Sequence, residues 1–259
     1  MGRYSVFNSL QKFFVSVAEY FALGMRVVGG IFVQPLYMDE IFNQMYEIGV
    51  QSLPIVALTS FFTGMILTLQ TGHEMAVFGA KMYVGTLVSL SLIRELGPVL
   101  TGLVVAGRVG AGIAAELGSM KVTEQIDAIR AMGTDPVKKL VTTRMLAGVI
   151  MVPMLTILAD GLGILGGLFI ANATFAISPQ FFWKTVMDPM TINDIIMGLI
   201  KPLIFGIMII WTACYTGLTT TGGTEGVGKS TTVSVVISSI LILVGDYFIT
   251  QILIWILGM

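Results

Sequence analysis

Residues 91–120 read SLIRELGPVLTGLVVAGRVGAGIAAELGSM, and residues 121–136 read KVTEQIDAIRAMGTDP. The first segment is apolar and rich in glycine and alanine. It nevertheless carries four charged residues, Arg94, Glu95, Arg108 and Glu116. A charged side chain inside a bilayer costs at least about 2.5–3.5 kcal/mol, so such residues usually face a bundle interior, a cavity or a partner. The second segment is short, amphipathic and charged. Together they predict a membrane-spanning helix that leads into a helix outside the bilayer.

The composition of the whole chain supports this interpretation. Of its 259 residues, 55% are hydrophobic and only 11% are charged, and the mean hydropathy is +0.91. Soluble domains carry about 25% charged residues. We therefore predict an all-α, polytopic integral membrane protein. The formal net charge of −1 gives no indication of a nucleic-acid partner.

The chain has few reactive side chains, which limits the classes of function it can have. The single cysteine, Cys214, excludes an internal disulfide and a cysteine-based metal cluster, and the single histidine, His73, excludes a histidine-rich metal site. No Ser/His/Asp or Cys/His set is available for hydrolysis. We expect no catalytic residues, no metal and no cofactor bound by this chain.

Five runs of the sequence are long and apolar enough to cross a bilayer, which takes roughly 20 residues for ~30 Å of hydrocarbon. The predicted spans cover residues 49–72, 84–117, 145–171, 195–218 and 232–257. They define a transmembrane domain at 49–259, with a loop at 119–144 between the second and third spans. The second span is long enough to tilt or to bend near Pro98.

The segment before the first span has a different character. Residues 4–33 are apolar at helical spacing but are interrupted by Lys12, Glu19 and Arg26. This pattern favours an amphipathic helix lying in the membrane interface and argues against a cleavable signal peptide. We assign 1–48 to an interfacial region.

Lysine and arginine bias predicts the orientation. With a cytoplasmic N-terminus, nine Lys or Arg residues fall on inside segments and only Lys81 and Lys184 fall outside. This places the 119–144 loop in the cytoplasm and the C-terminus outside. The outside loop at 172–194 is expected to form a short structured turn or helix.

Small residues recur every four positions along the second span, at Gly102, Ala106, Gly110, Ala114 and Gly118. Small residues let helix backbones approach closely in lipid. The stripe indicates either packing within one subunit or a seam between two copies of the chain.

Charged residues within the spans have two interpretations each. Arg94 and Glu95 either neutralise one another locally or line a polar cavity in the outer half of the bilayer, where Arg94 could hold an anionic head group. Asp160, Lys201 and Asp246 lie within other spans. They predict interhelical hydrogen bonds or an ion pair, with proton coupling as the alternative.

The 119–144 loop contains helical spacing at Ile126, Ile129 and Met132, followed by Gly133 as a helix C-terminal signal. Charged residues Glu124, Asp127 and Arg130 share this short segment. It is either a solvated loop helix or, as we favour, a docking helix for a cytoplasmic motor subunit.

Gly223–Ser230 matches the phosphate-binding pattern G-x-x-x-x-G-K-[ST]. That motif functions between a strand and a helix of an α/β domain, whereas here both flanks are membrane-length apolar segments. We expect the match to be spurious and the segment to be a flexible cytoplasmic loop.

Several motifs, taken in order, resemble the MlaE permease family. They are Ser91-Leu-Ile-Arg-Glu-Leu-Gly-Pro-Val99, Ala106-Gly-Arg-Val-Gly-Ala111, Ala115-Glu-Leu-Gly118 and Thr123-Glu-Gln-Ile-Asp-Ala128. The resemblance continues through Asp135-Pro136, Arg144, Ala147-Gly148, Pro153 and Gly226-Val-Gly228, and covers the chain from about residue 45 to its end.

This resemblance implies the membrane subunit of a bacterial ABC transporter that moves phospholipids or related lipids between the inner and outer membranes. It implies a homodimer in the inner membrane, a cytoplasmic ABC ATPase that binds ATP and Mg²⁺, a periplasmic ring of MCE-domain subunits and a small cytoplasmic accessory subunit. It assigns Arg94, Glu95, Pro98 and Arg108 to a lipid cavity or its gate. It also makes the helix with Glu124, Asp127, Arg130, Met132 and Gly133 the coupling helix to the ATPase.

Two other classes of function remain alternatives. The first is a secondary transporter coupled to protons through Asp160 and Asp246, which would need no ATP. The second is a membrane ATPase that uses Gly223–Ser230 and binds nucleotide as an isolated chain.

Overall fold

A computed structural model describes residues 18–27, 29 and 37–258, and within them every regular element is helical. Residues 18–27 are helical. We label the helices that follow as α1 Met38–Ile48, α2 Leu53–Val77, α3 Lys81–Val122, α4 Gln125–Ala131, α5 Val137–Phe175, α6 Pro179–Met187, α7 Ile192–Leu218 and α8 Gly223–Leu257.

Five stretches of this fold are long and apolar enough to span a membrane, which confirms the predicted number. They are Met38–Val77, Lys81–Val122, Val137–Phe175, Ile192–Leu218 and Gly223–Leu257. Three of these helical stretches begin eight to eleven residues before the predicted spans, at Met38, Val137 and Gly223, where the sequence predicts 49, 145 and 232. Residues 223–230 are the first turns of α8, not a flexible loop, and only residues 219–222 connect α7 to α8.

The five spanning stretches alternate in direction, so their connections gather at two ends. We call the end with α4 and residues 219–222 the α4 end, and the end with α6 and residues 78–80 the α6 end. Residues 18–27 pack at the α4 end of α7, where the Tyr20 ring stacks on Trp211 at 5.1 Å between centroids. The remainder of the predicted interfacial helix lies outside the described residues.

Helix α3 is not a uniform α-helix. Leu92–Leu96 and Ala106–Gly110 are π-helical, and three α-helical segments flank them. Pro98 follows the first π turn. A proline ring collides with the carbonyl four residues earlier and removes a backbone donor. A π turn at this place accommodates the proline within a continuous helix.

Close helix packing explains the small-residue stripe of α3. Gly102 faces Phe205 of α7 and Ile242 of α8, Gly110 faces Ile209 of α7, and Gly118 faces Thr220. These contacts place the stripe inside one subunit, as the first of its two interpretations predicts.

Two short helices cover the ends. Helix α6 begins after Ser178, whose hydroxyl accepts from the Phe181 backbone N–H, and it forms the structured element expected at 172–194. Helix α4 begins after Glu124, which has φ +61°, and ends before Gly133, which has φ +78°. A glycine in this conformation after the last helical turn is the termination that the sequence predicts.

Candidate functional site

Arg94 of α3 lies opposite Asp194 in the first turn of α7. The Arg94 Nε donates to Asp194 Oδ1 at 2.5 Å. Asp194 also accepts from the backbone N–H and the hydroxyl of Thr191, closing a capping box at the start of α7. Asp194 is fully buried, whereas 37% of the Arg94 side chain is exposed. The carboxylate is therefore fixed by the helix end and orients an accessible guanidinium.

Glu95, next to Arg94 in sequence, pairs with a different helix. Lys201 of α7 is fully buried, and its Nζ lies 2.5 Å from Glu95 Oε2 and 3.0 Å from Asp246 Oδ1 of α8. The Thr250 hydroxyl lies 3.3 Å from Glu95 Oε1. This cluster joins three spanning helices around one buried ammonium group. Glu95 remains 39% exposed at the side chain, so the cluster has one open side.

The helix segments on either side of these ion pairs are free of charged residues along α8. No charged residue occurs between Lys229 and Asp246 on α8, a distance of about 25 Å along a helix, and α8 continues to Leu257 beyond the cluster. Leu92, two residues before Arg94, packs against Gly163 of α5, which in turn contacts α2 within its apolar length. The ion pairs therefore lie within the apolar part of the bundle, nearer the α6 end.

Asp160 of α5 is separate from this cluster. One of its carboxylate oxygens is buried against Gly97 of α3 and has no hydrogen-bond partner within residues 37–258. An open cavity of about 210 Å³ adjoins it, lined mostly by apolar residues of α3, α5 and α7. Of the three predicted buried polar residues, Lys201 and Asp246 thus form the expected ion pair and Asp160 does not.

The structure does not bring Arg108 together with Arg94, whereas Pro98 follows Arg94 by about one turn of α3. Pro98 is buried in the bundle, where it shapes α3. Arg108 lies fourteen residues from Arg94 on α3, about 20 Å along the helix, and bonds to the turn before α2. Within one chain Arg108 is therefore several turns from Arg94, Glu95 and Pro98, and the assignment of these four residues to a lipid cavity or its gate stays a prediction.

At the α4 end, Glu116 of α3 pairs with Arg144 of α5 at 2.7 Å. Helix α4 lies between these two helices in sequence and exposes most of its predicted coupling residues. Asp127 is 3.2 Å from Lys121 and 3.4 Å from Arg130, and Met132 is 74% exposed. Ile126 is buried and anchors α4 to the core. One face of α4 thus packs against the core, and the other face is exposed.

Nucleotide binding and metal binding find little support in the residues that the structure describes. Gly223–Ser230 is helical from its first residue and follows a four-residue turn, where a phosphate-binding loop follows a strand. Residues 18–27, 29 and 37–258 contain no cluster of three His, Cys, Asp or Glu side chains arranged to hold a metal.

Sequence reasoning missed Asp194 and Thr250 as members of the site. Asp194 carried a signal, because Thr191-Ile-Asn-Asp194 matches the capping-box pattern and marks a helix start. Its pairing with Arg94, one hundred positions away, depends on tertiary packing that no local pattern reveals.

Five apolar spans around paired acidic and basic side chains, with an exposed polar helix at one end, are typical of a multi-pass membrane protein of the transporter class. Comparison with known proteins gives the family. Residues 41–252 match the family model described as Permease MlaE.

The chain is 43% identical over 242 residues to a probable ABC transporter permease protein of Rickettsia typhi, covering 93% of each chain. It is 38% identical to the intermembrane phospholipid transport system permease protein MlaE of Haemophilus influenzae, covering 89% of this chain and 90% of the relative. It is also 36% identical to the chloroplastic protein TRIGALACTOSYLDIACYLGLYCEROL 1 of Arabidopsis thaliana, covering 87% of this chain and 65% of the relative. The chain belongs to the MlaE permease family of ABC transporters.

Proposed function

We propose that this chain transports phospholipids between the inner and outer membranes as the permease subunit of an ABC transporter. The observation that carries the proposal is the accessible guanidinium of Arg94 beside the Glu95–Lys201–Asp246 cluster, within the apolar part of the bundle. A guanidinium in this setting binds a phosphate strongly. The Haemophilus relative, named as a permease of a phospholipid transport system, agrees with this chemistry.

In this proposal the open side of the cluster faces a lipid cavity that two copies of the chain form. The lipid phosphate shares Arg94 with Asp194, and the buried Lys201 holds Glu95 in place at the rim. The α4 end faces the cytoplasm and the α6 end faces the periplasm, as the lysine and arginine bias predicts.

The energy comes from a separate cytoplasmic ATPase that binds ATP and Mg²⁺ and docks on α4. Movement of α4 reaches α3 and α5 directly, since Glu116 and Arg144 join the two helices beside it. An MCE-domain ring accepts or supplies lipid at the α6 end, and a small accessory subunit completes the cytoplasmic side. The secondary-transporter alternative loses its main argument, because Asp246 is ion-paired and Asp160 lies apart from it.

Purification from native membranes tests this composition. The tagged chain, extracted in mild detergent, is analysed by mass spectrometry for bound proteins and lipids. We expect two copies of the chain, an ABC ATPase, an MCE-domain protein and phospholipid. Arg94→Ala should lower the lipid bound per dimer, whereas Lys184→Ala, at an exposed lysine of α6, should not. A lone chain without ATPase or lipid would contradict the proposal.

A further inference from the structure

A second polar cavity lies at the opposite edge of the apolar layer. It has a volume of about 290 Å³ and opens to the surface between α1, residues 50–52 and α3. Its polar lining includes Glu47, Gln51, Arg108 and Glu116. It is about 20 Å along α3 from Arg94, so it is distinct from the site described above.

The level of this cavity in the bilayer follows from a hydrogen bond of Arg108. The Arg108 guanidinium donates to Ser52 Oγ at 2.8 Å, and Ser52 immediately precedes the charge-free apolar sequence of α2. Arg108 therefore lies level with the start of the charge-free sequence of α2, towards the α4 end. Lipid head groups occupy this level of a bilayer.

The guanidinium of Arg108 has unused binding capacity. Three of its N–H groups donate, to the Glu47 carbonyl oxygen at 3.1 Å, to Ser52 Oγ and to Gln51 Oε1 at 2.7 Å. All three acceptors are neutral, and Arg108 forms no ion pair within the described part of the chain. Arginine has five N–H donors, so two remain for an anion. Three fixed bonds hold the guanidinium in position for it.

The acidic residues of the cavity offer a partner for a cationic group of the ligand. Glu116 is already neutralised by Arg144. The Glu47 carboxylate forms no ion pair with any residue that the structure describes. The cavity therefore offers one uncommitted cation and one uncommitted carboxylate. A ligand with a phosphate and an ammonium group matches both.

An apolar track continues from the cavity along α2. Ile55, Leu58, Phe62 and Ile66 follow Gln51 at intervals of three or four residues and are exposed. Residues at this spacing share one face of a helix. A molecule with its head group in the cavity would lay an acyl chain along this face.

We infer that this cavity binds the head group of a zwitterionic phospholipid, with the phosphate on Arg108 and the ammonium on Glu47, in the leaflet at the α4 end. The inference concerns binding by the permease alone and does not depend on ATP-driven transport.

Native mass spectrometry of the purified chain tests it. The chain is titrated with phosphatidylethanolamine, phosphatidylcholine or phosphatidylglycerol of equal chain length. Arg108→Gln should weaken binding of one lipid per chain about tenfold for all three lipids, because each has a phosphate, while the lipid proposed at Arg94 is retained. Glu47→Gln should weaken the two zwitterionic lipids and leave phosphatidylglycerol unchanged or tighter. Lys184→Gln and Glu74→Gln, exposed and at the α6 end, are the matched controls.

The two variants also separate a head-group role from a structural one. Glu47 is exposed and unpaired within the described residues, so Glu47→Gln should fold even if Arg108→Gln does not. Equal binding of all three lipids by the wild type and Glu47→Gln would overturn the inference. Loss of the dimer with unchanged lipid binding would show that a second copy of the chain covers the cavity, and would also overturn it.

Discussion

Glu116 and Arg144 form an ion pair at 2.7 Å that closes the base of the hairpin carrying α4. Arg144 is 1% exposed and also donates to the Leu140 carbonyl oxygen at 2.7 Å. The two helices that flank α4 are therefore joined about two turns from the ends that lead to it. This pair ties α3 to α5 at the α4 end.

Loss of this pair should destabilise the fold. Glu116→Gln leaves the buried Arg144 without its carboxylate, and we expect a loss of about 1–2 kcal/mol, less than for a fully buried pair because Glu116 is half-exposed. Thermal unfolding in detergent measures it. The charge swap Glu116→Arg with Arg144→Glu should recover part of the loss. An unchanged melting temperature for Glu116→Gln would show that the pair carries no stability.

The Lys201 cluster allows stability and transport to be separated. Lys201→Met removes the cation between Glu95 and Asp246 and should cost about 2–3 kcal/mol, since two carboxylates are then left together. Adding Glu95→Gln and Asp246→Asn should recover most of the stability, because no uncompensated charge remains. We expect this triple variant to stay deficient in lipid transport. Wild-type transport by the triple variant would mean that the cluster serves only the fold.

The contact between α2 and α5 depends on glycine. A Cβ on Gly64 would overlap the backbone carbonyl of Gly163, which cannot rotate away. We expect Gly64→Ala to lower stability by about 1–3 kcal/mol. Gly161→Ala on α5 is the control, because its Cβ would meet open space, and it should be neutral or stabilising. Equal melting temperatures for the two variants would contradict this packing.

The exposed face of α4 gives a test of coupling. Asp127→Arg removes two exposed ion pairs, which contribute little to stability, so the protein should still insert and fold. We expect ATP hydrolysis by the partner to continue with reduced lipid movement. Glu74→Arg, at the α6 end, should leave coupling intact. Normal lipid movement per ATP in Asp127→Arg would exclude this face as the docking surface.

Part of this structure is predictable from the sequence. Charge-free runs give the five spans, because a bilayer core admits only long apolar helices. The pattern around Ile126 and Gly133 predicts α4 and its end. The start of α8 is not predictable in the same way. Gly223 and its neighbours are typical of a loop, yet the helix begins at Gly223, and Gly226 lies so close to the Thr221 carbonyl oxygen that a side chain would not fit.

The candidate site is also only partly predictable from the sequence. The sequence marks Arg94, Glu95, Lys201 and Asp246 as unusual, because charges are rare within spans. It cannot show that the adjacent Arg94 and Glu95 choose different partners, since that depends on how α7 and α8 pack around α3. It also cannot show that Arg94 and Arg108, both predicted to belong to a lipid cavity or its gate, lie about 20 Å apart along α3 within one chain.

The most direct test of the central proposal is ATP-driven phospholipid movement in a reconstituted system. Proteoliposomes contain the permease, its ATPase and its MCE-domain partner, and labelled phospholipid is followed in both directions between donor and acceptor membranes. We expect movement that requires ATP and falls about tenfold in Arg94→Ala, with Lys184→Ala unaffected. Phospholipid movement that is absent, or that proceeds equally without ATP, would contradict the account.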